Sequence, residues 1–180
     1  IALYDPQRDQ RAIPLYGQDP KIGCLWHLAF TLWFCGYPDQ ALARAGEAVT
    51  MARTLNLPFS LAGALTFAAT MRQFRGETAA AQQEAHEALT LATEYGFPQW
   101  RMIGAIVYGW TCIAQGNEKI GIPYMQSGLT LLHDTGALMS RSYFLAVLAE
   151  LSWQQGHKED AWQAITEARA VMEQTGERTA

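Results

Sequence analysis

The chain has 180 residues, is 49% hydrophobic and 17% charged, and carries a formal charge of −4. That composition excludes a disordered tract, and the length is enough to bury a sizeable core within one domain. An acidic balance argues against a nucleic-acid platform, which needs clustered cations to neutralise phosphates, and no charge-free run of 18 apolar residues is present to span a membrane. Ile1 stands first, and no charged stretch precedes an apolar run, so the chain reads as an excised piece of a longer protein with no signal peptide visible. Cys24 and Cys35 fall on one predicted helix, roughly 16 Å apart along its axis. A disulfide needs Cα atoms within about 7 Å. Reduced thiols and a cytoplasmic location are therefore expected, with Cys24, Cys35 and Cys112 as buried structural side chains.

Residues 1–19 do not fit the pattern that follows. Pro6 and Pro14 interrupt any long helix, and this part reads as a connector or the remnant of an upstream element. Asp19-Pro20 then opens a helix, with Asp19 as N-cap and Pro20 at the first helical position. Its body, from Leu25 to Phe34, is apolar nearly all round. Gly36-Tyr37-Pro38 ends it, and Asp39 is read as the cap of an amphipathic partner helix running to about Leu55. A second hairpin is predicted from Pro58 to Phe74 and from Thr78 to Tyr95. The third opens at Pro98, and its second helix contains Pro123, where a late start or a kink is expected. The fourth carries Leu145, Leu148 and Ala149, then Ala161, Ile165 and Ala168. The units span about 20–57, 58–97, 98–137 and 138–176, within a repeat domain over 20–180.

The period is visible in two ladders of helix stops. Gly36, Gly76, Gly116 and Gly156 recur every 40 residues, and so do Asn56, Gly96, Gly136 and Gly176. Glycine, and next best asparagine, tolerates the left-handed conformation that ends a helix. Three columns of small residues keep the same beat: Ala29, Ala69, Gly109 and Ala149; Ala41, Ala81, Gly121 and Ala161; Ala48, Ala88, Gly128 and Ala168. Such columns let helix axes approach closely.

Small residues five and twelve positions after the turn glycine, with the pairs Leu28-Ala29, Ala68-Ala69, Tyr108-Gly109 and Leu148-Ala149 before it, resemble the tetratricopeptide repeat. That repeat is 34 residues long, so each unit here carries about six more. HEAT and armadillo repeats, with periods of about 40–47, are the structural alternative; the small-residue columns favour the former. The expected fold is all-α, an alpha-alpha superhelix of four such hairpins with a right-handed sense.

A closer resemblance covers nearly the whole chain. Tyr16-Gly17-Gln18-Asp19-Pro20, Gly36-Tyr37-Pro38-Asp39-Gln40-Ala41, Leu57-Pro58-Phe59-Ser60-Leu61-Ala62, Ala92-Thr93-Glu94-Tyr95-Gly96-Phe97-Pro98 and Thr175-Gly176-Glu177-Arg178 resemble the repeat region of large bacterial predicted ATPases. Those are multidomain proteins of AAA/STAND type, often fused to a class III adenylate/guanylate cyclase or a transcription-regulator domain. The resemblance implies a C-terminal regulatory helical array and does not imply nucleotide binding by this segment.

No phosphate-cradling G-x-x-x-x-G-K-[ST] stretch occurs. His86-Glu87 starts like a zinc-protease motif, but Thr90 stands where the second ligand would be. His27, His86, His133 and His157 lie in different units without ligand spacing. No catalytic residue, metal or cofactor is expected. A candidate groove emerges instead from the first helices of the hairpins, which line the concave face in tetratricopeptide-like arrays. Its columns are Trp26/Thr66/Ile106/Ala146, Phe30/Thr70/Trp110/Glu150 and Trp33/Gln73/Ile113/Trp153, with Tyr143 beside them. Aromatic anchors of this kind supply much of the contact energy at interfaces; the competing reading packs the rings between helices. Lys21, Arg101 and Arg141 share a further column that would form a basic rim or stand in solvent. The expected partner is a protein, a peptide or another domain of the same chain, with no nucleic acid or membrane. A small-molecule sensor using the same groove is the alternative. Helix 20–35 and the apolar Trp162, Ile165, Val171 and Met172 predict ends covered by neighbouring domains or by a homodimer contact.

Overall fold

The structure, a computed structural model, describes residues 4–5, 13, 17–135 and 141–176. Among them are eight helices and no strand: α1 (Pro20–Phe34), α2 (Pro38–Thr54), α3 (Pro58–Phe74), α4 (Thr78–Glu94), α5 (Pro98–Ala114), α6 (Glu118–Asp134), α7 (Arg141–Gln154) and α8 (Lys158–Thr175). They form four antiparallel hairpins stacked side by side. The odd-numbered helices touch one another from hairpin to hairpin, α1 on α3, α3 on α5 and α5 on α7. α2, α4 and α6 each pack against their own partner and the odd-numbered helix that follows, and α8 packs against α7.

The turn glycines explain why the hairpins are alike. At the end of α3, the Gly76 amide donates to the Gln73 carbonyl at 3.0 Å and the Glu77 amide to Arg72 at 2.9 Å, with Gly76 at φ +71°. This is a Schellman closure: the left-handed residue lets two amides reach back to carbonyls the helix has left unpaired. The same two bonds recur at Gly36, Gly116 and Gly156. Asn56 takes the left-handed role with φ +51° where other junctions use glycine. Gly136 lies outside the described residues.

Helix starts follow proline more than side-chain caps. Pro20, Pro38, Pro58 and Pro98 open α1, α2, α3 and α5, where the missing N–H leaves no bond unmade. Asp19 is a true N-cap: its carboxylate accepts from the Lys21 amide at 2.8 Å and the Ile22 amide at 3.2 Å. Asp39, in contrast, does not cap α2. Tyr37 holds that position without a side-chain bond, and Asp39 instead meets the Arg75 guanidinium at 2.7 Å. With Pro38 at the first helical position, the helix starts two residues earlier than a cap at Asp39 would require.

The expected late start at Pro123 does not occur, since α6 is helical from Glu118. Gly121, Pro123 and Gly128 make α6 a poor helix by propensity, so contact with α5 must hold it together. A Cβ placed on Gly109 of α5 would lie 2.5 Å from the Gly121 carbonyl oxygen, and one on Gly128 would lie 2.6 Å from the Met102 carbonyl oxygen. In the third hairpin all three small-residue columns are therefore glycine, and the backbones are in direct contact.

The cysteines depart from expectation. All three are free thiols, but Cys24 and Cys35 are exposed and only Cys112 is buried. Cys24 stands exposed between the buried Gly23 and Leu25, and Cys35 is the C-cap residue of α1.

Candidate ligand-binding groove

The face formed by α1, α3, α5 and α7 contains two adjoining hollows. The first, of about 430 Å³, is apolar: Phe30 of α1, Phe67, Thr70 and Phe74 of α3, Met102 and Ile103 of α5, and Tyr143 and Phe144 of α7 supply most of its wall. The second, of about 410 Å³, is lined by Gln73, Trp110, Ile113, Tyr143, Glu150 and Gln154 among others. Tyr143 belongs to both. A run of ring contacts frames the first hollow: Phe30 meets Phe67 and Phe74 at 5.1 and 5.9 Å, and Phe74 meets Tyr143 edge-on at 5.5 Å. Since Phe74 is on α3 and Tyr143 on α7, the rings reach across α5, which lies between these two helices in chain order.

The floor is polar where a core would be apolar. Thr66 and Thr70 are buried, and their hydroxyls donate back to the Ala62 and Thr66 carbonyls at 2.7 and 2.9 Å. Gln73 is only 6% exposed, and its Oε1 has no hydrogen-bond partner. Leaving such a group unmatched costs about 1–3 kcal/mol. Burial raises the Tyr143 phenol above its ordinary range, and the Glu150 carboxylate adds to the shift.

Phe30, Thr70 and Tyr143 line the apolar hollow, and Gln73, Trp110, Ile113, Tyr143 and Glu150 the polar one. Others of the predicted set lie elsewhere. Trp26 and Ile106 are buried between hairpins, Trp26 stacked on Phe67 at 5.1 Å. Trp33 packs on Phe74 at 5.1 Å. Trp153 is 53% exposed outside both hollows, with the Lys158 ammonium 5.5 Å from its ring centre.

Arg101 and Arg141 stand on the opposite side. Arg101 borders a hollow with Leu89, Thr93 and Tyr124 of α4 and α6, and Arg141 a crevice with Gln126, Asp160 and Glu167 of α6 and α8. The reason is helical geometry: each arginine precedes a groove residue, Trp110 or Glu150, by nine positions, which is about 180° around the helix. The basic rim is also mostly paired. Arg141 is buried and bonded to Glu167, and Lys21 lies 3.7 Å from Glu47. The groove residues that sequence columns missed, Phe67, Phe74, Met102, Ile103 and Phe144, lie mostly one position beside the predicted ones. Their signal was present as a wider aromatic stripe.

Among the described residues, no three His, Cys, Asp or Glu side chains gather at metal-binding distance, and no helix is long and apolar enough to cross a membrane. No family model matches the chain. It is similar to aspartyl phosphate phosphatase F from Bacillus subtilis, with a TM-score of 0.65 and 14% identity over 87% of this chain and 41% of that one. MamA aligns with a TM-score of 0.50 and 15% identity, over 94% of this chain and 88% of that one. The fold is a tetratricopeptide-like superhelix. An uncharacterized protein of Rhizobium meliloti (strain 1021), R02095, is 24% identical over 177 residues. The chain spans 98% of its own length in that match but only 17% of the relative's.

Proposed function

We propose that this tetratricopeptide-like array is a non-catalytic interaction scaffold that docks a peptide or a partner domain in the groove of α1, α3, α5 and α7. The observation that carries the reading is the pair of hollows joined at Tyr143, with rings open to the groove above a floor of Thr66, Thr70 and Gln73. Shape and a few aromatic anchors would supply the binding energy. The small share of the Rhizobium meliloti relative that the chain covers supports a place within a longer protein. Resemblance to the repeat region of bacterial predicted ATPases suggests regulation of such a partner module, with a cytoplasmic location.

The test is binding of a fluorescent hexapeptide library by Tyr143→Ala and Trp153→Ala. Tyr143→Ala should weaken the retained peptides by about tenfold or more, while Trp153→Ala leaves them unchanged. Equal binding by both variants would remove the groove. A saturable rise in melting temperature with metabolites, and none with peptides, would favour the small-molecule sensor.

The far side of the last hairpin supports a second contact. Ala45, Ala85 and Met125 are fully buried, yet Ile165 at the matching position of α8 is 42% exposed, with Trp162 beside it at 66%. We propose that another copy, or an adjoining segment of a longer chain, covers this face. Light scattering of the 180-residue chain should show a dimer that Trp162→Glu disperses. A wild-type monomer at high concentration would exclude the homodimer.

A further inference from the structure

We propose that the polar hollow receives a lysine or arginine side chain of the partner polypeptide, while an apolar side chain of the same partner fills the neighbouring hollow. This rests on the groove being the docking face, and it names the chemistry of what docks.

Charge gives the first argument. Among the described residues lining the polar hollow, Glu150 is the one acidic side chain, and neither hollow has a lysine or arginine in its wall. An acidic occupant would meet the Glu150 carboxylate and find no cation to answer it. A purely apolar occupant would strip water from Glu150 without replacing its hydrogen bonds. A cationic donor does neither.

The aromatic wall gives the second. Trp110 and Tyr143 are half-buried, so part of each ring stays open to the hollow. Ring faces attract ammonium and guanidinium groups electrostatically, and more strongly where water is thinned out. Burial, with Glu150 adding to it, pushes the Tyr143 phenol further above its ordinary value, so its oxygen can accept a hydrogen bond as a neutral group. The chain already makes such a contact with its own residues, at Lys158 over Trp153.

Gln73 gives the third. Its side chain sits in the wall, nine-tenths buried, and its Oε1 has no hydrogen-bond partner among the described residues. A guanidinium or ammonium N–H entering the hollow would supply the donor that this oxygen lacks. The acceptor set of Glu150, Gln73 and Tyr143 matches a group that only donates. Because the two hollows share Tyr143, the partner's basic and apolar side chains must lie on one face. Positions i and i+2 of an extended segment, or i and i+4 of a helix, meet that need.

The experiment is a positional-scanning library of acetylated, fluorescein-labelled hexapeptides, read by polarisation against wild type, Glu150→Gln and Glu150→Lys. Glu150 is exposed, so both variants should keep the wild-type circular dichroism spectrum. Wild type should retain pools with Lys or Arg beside an apolar residue. Glu150→Gln should weaken those pools by about tenfold, and Glu150→Lys should shift retention to Asp or Glu pools. Pools retained without a basic preference, or the same preference in Glu150→Gln, would overturn the inference and leave the groove standing. Retention of no pool would overturn both. If free arginine amide raised the melting temperature as much as the best pool, a small amine would replace the polypeptide as the occupant.

Discussion

Gly109→Ala is expected to lower the melting temperature by on the order of 10 °C, from a loss of about 3 kcal/mol. Two effects oppose each other. Alanine is the better helix former by about 1 kcal/mol. Its Cβ, however, would lie 2.5 Å from the Gly121 carbonyl oxygen, 2.7 Å from Met125 Cγ and 2.8 Å from the Met125 amide. Two of those three atoms are backbone and cannot swing aside, so α5 and α6 must separate. The separation would also loosen Gly128 from Met102 and Ile106. Gly46→Ala is the control. It lies in α2 with nothing within 4 Å of the added carbon, so propensity alone acts and stability should rise by about 1 kcal/mol. Thermal unfolding followed by circular dichroism decides the matter: a Gly109 variant melting at or above the wild-type temperature would mean that the α5–α6 backbones are not in contact.

Trp100→Ala should cost about 3–5 kcal/mol, with a similar drop in melting temperature. Trp100 is 3% exposed and joins three hairpins, meeting Trp26 at 5.5 Å, Phe59 at 5.5 Å and Phe67 at 6.1 Å. Gly63 gives it room, since a Cβ there would come within 2.7 Å of the indole. Truncation leaves a cavity at the junction of α1, α3 and α5. One term runs the other way: the Trp100 indole N–H is buried without an acceptor. Removing an orphan donor recovers part of its desolvation penalty, so the loss should sit near the lower end of that range. Trp100→Phe separates the two terms by keeping most of the ring and discarding the N–H, and should lose about 1 kcal/mol. An alanine variant as stable as the phenylalanine one would show that this cluster does not tie the hairpins together.

Much of the architecture was legible before any coordinates. Gly36, Gly76, Gly116 and Gly156 mark helix ends because a left-handed residue is a local backbone requirement, independent of what packs nearby. Pro20, Pro58 and Pro98 mark starts for the same local reason. Local rules failed where two of them competed, as at Asp39, which lost the cap position to the geometry set by Pro38. Of the late start or kink expected at Pro123, the late start is absent, since α6 is helical from Glu118 and packs along α5.

The groove was legible only as a stripe. Trp26 and Trp110 occupy related turns of their helices, yet the first is sealed between hairpins and the second borders the polar hollow. What separates them is the identity of the neighbour: Phe67 and Trp100 close over Trp26, whereas Gln73 and Glu150 leave Trp110 open. Composition and periodicity alone thus settle the number of hairpins among the described residues and the turns at Gly36, Gly76, Gly116 and Gly156, because these depend on backbone preferences repeated along the chain. Which rings face a ligand and which face each other is decided by tertiary structure, because exposure depends on side chains contributed from hairpins tens of residues away.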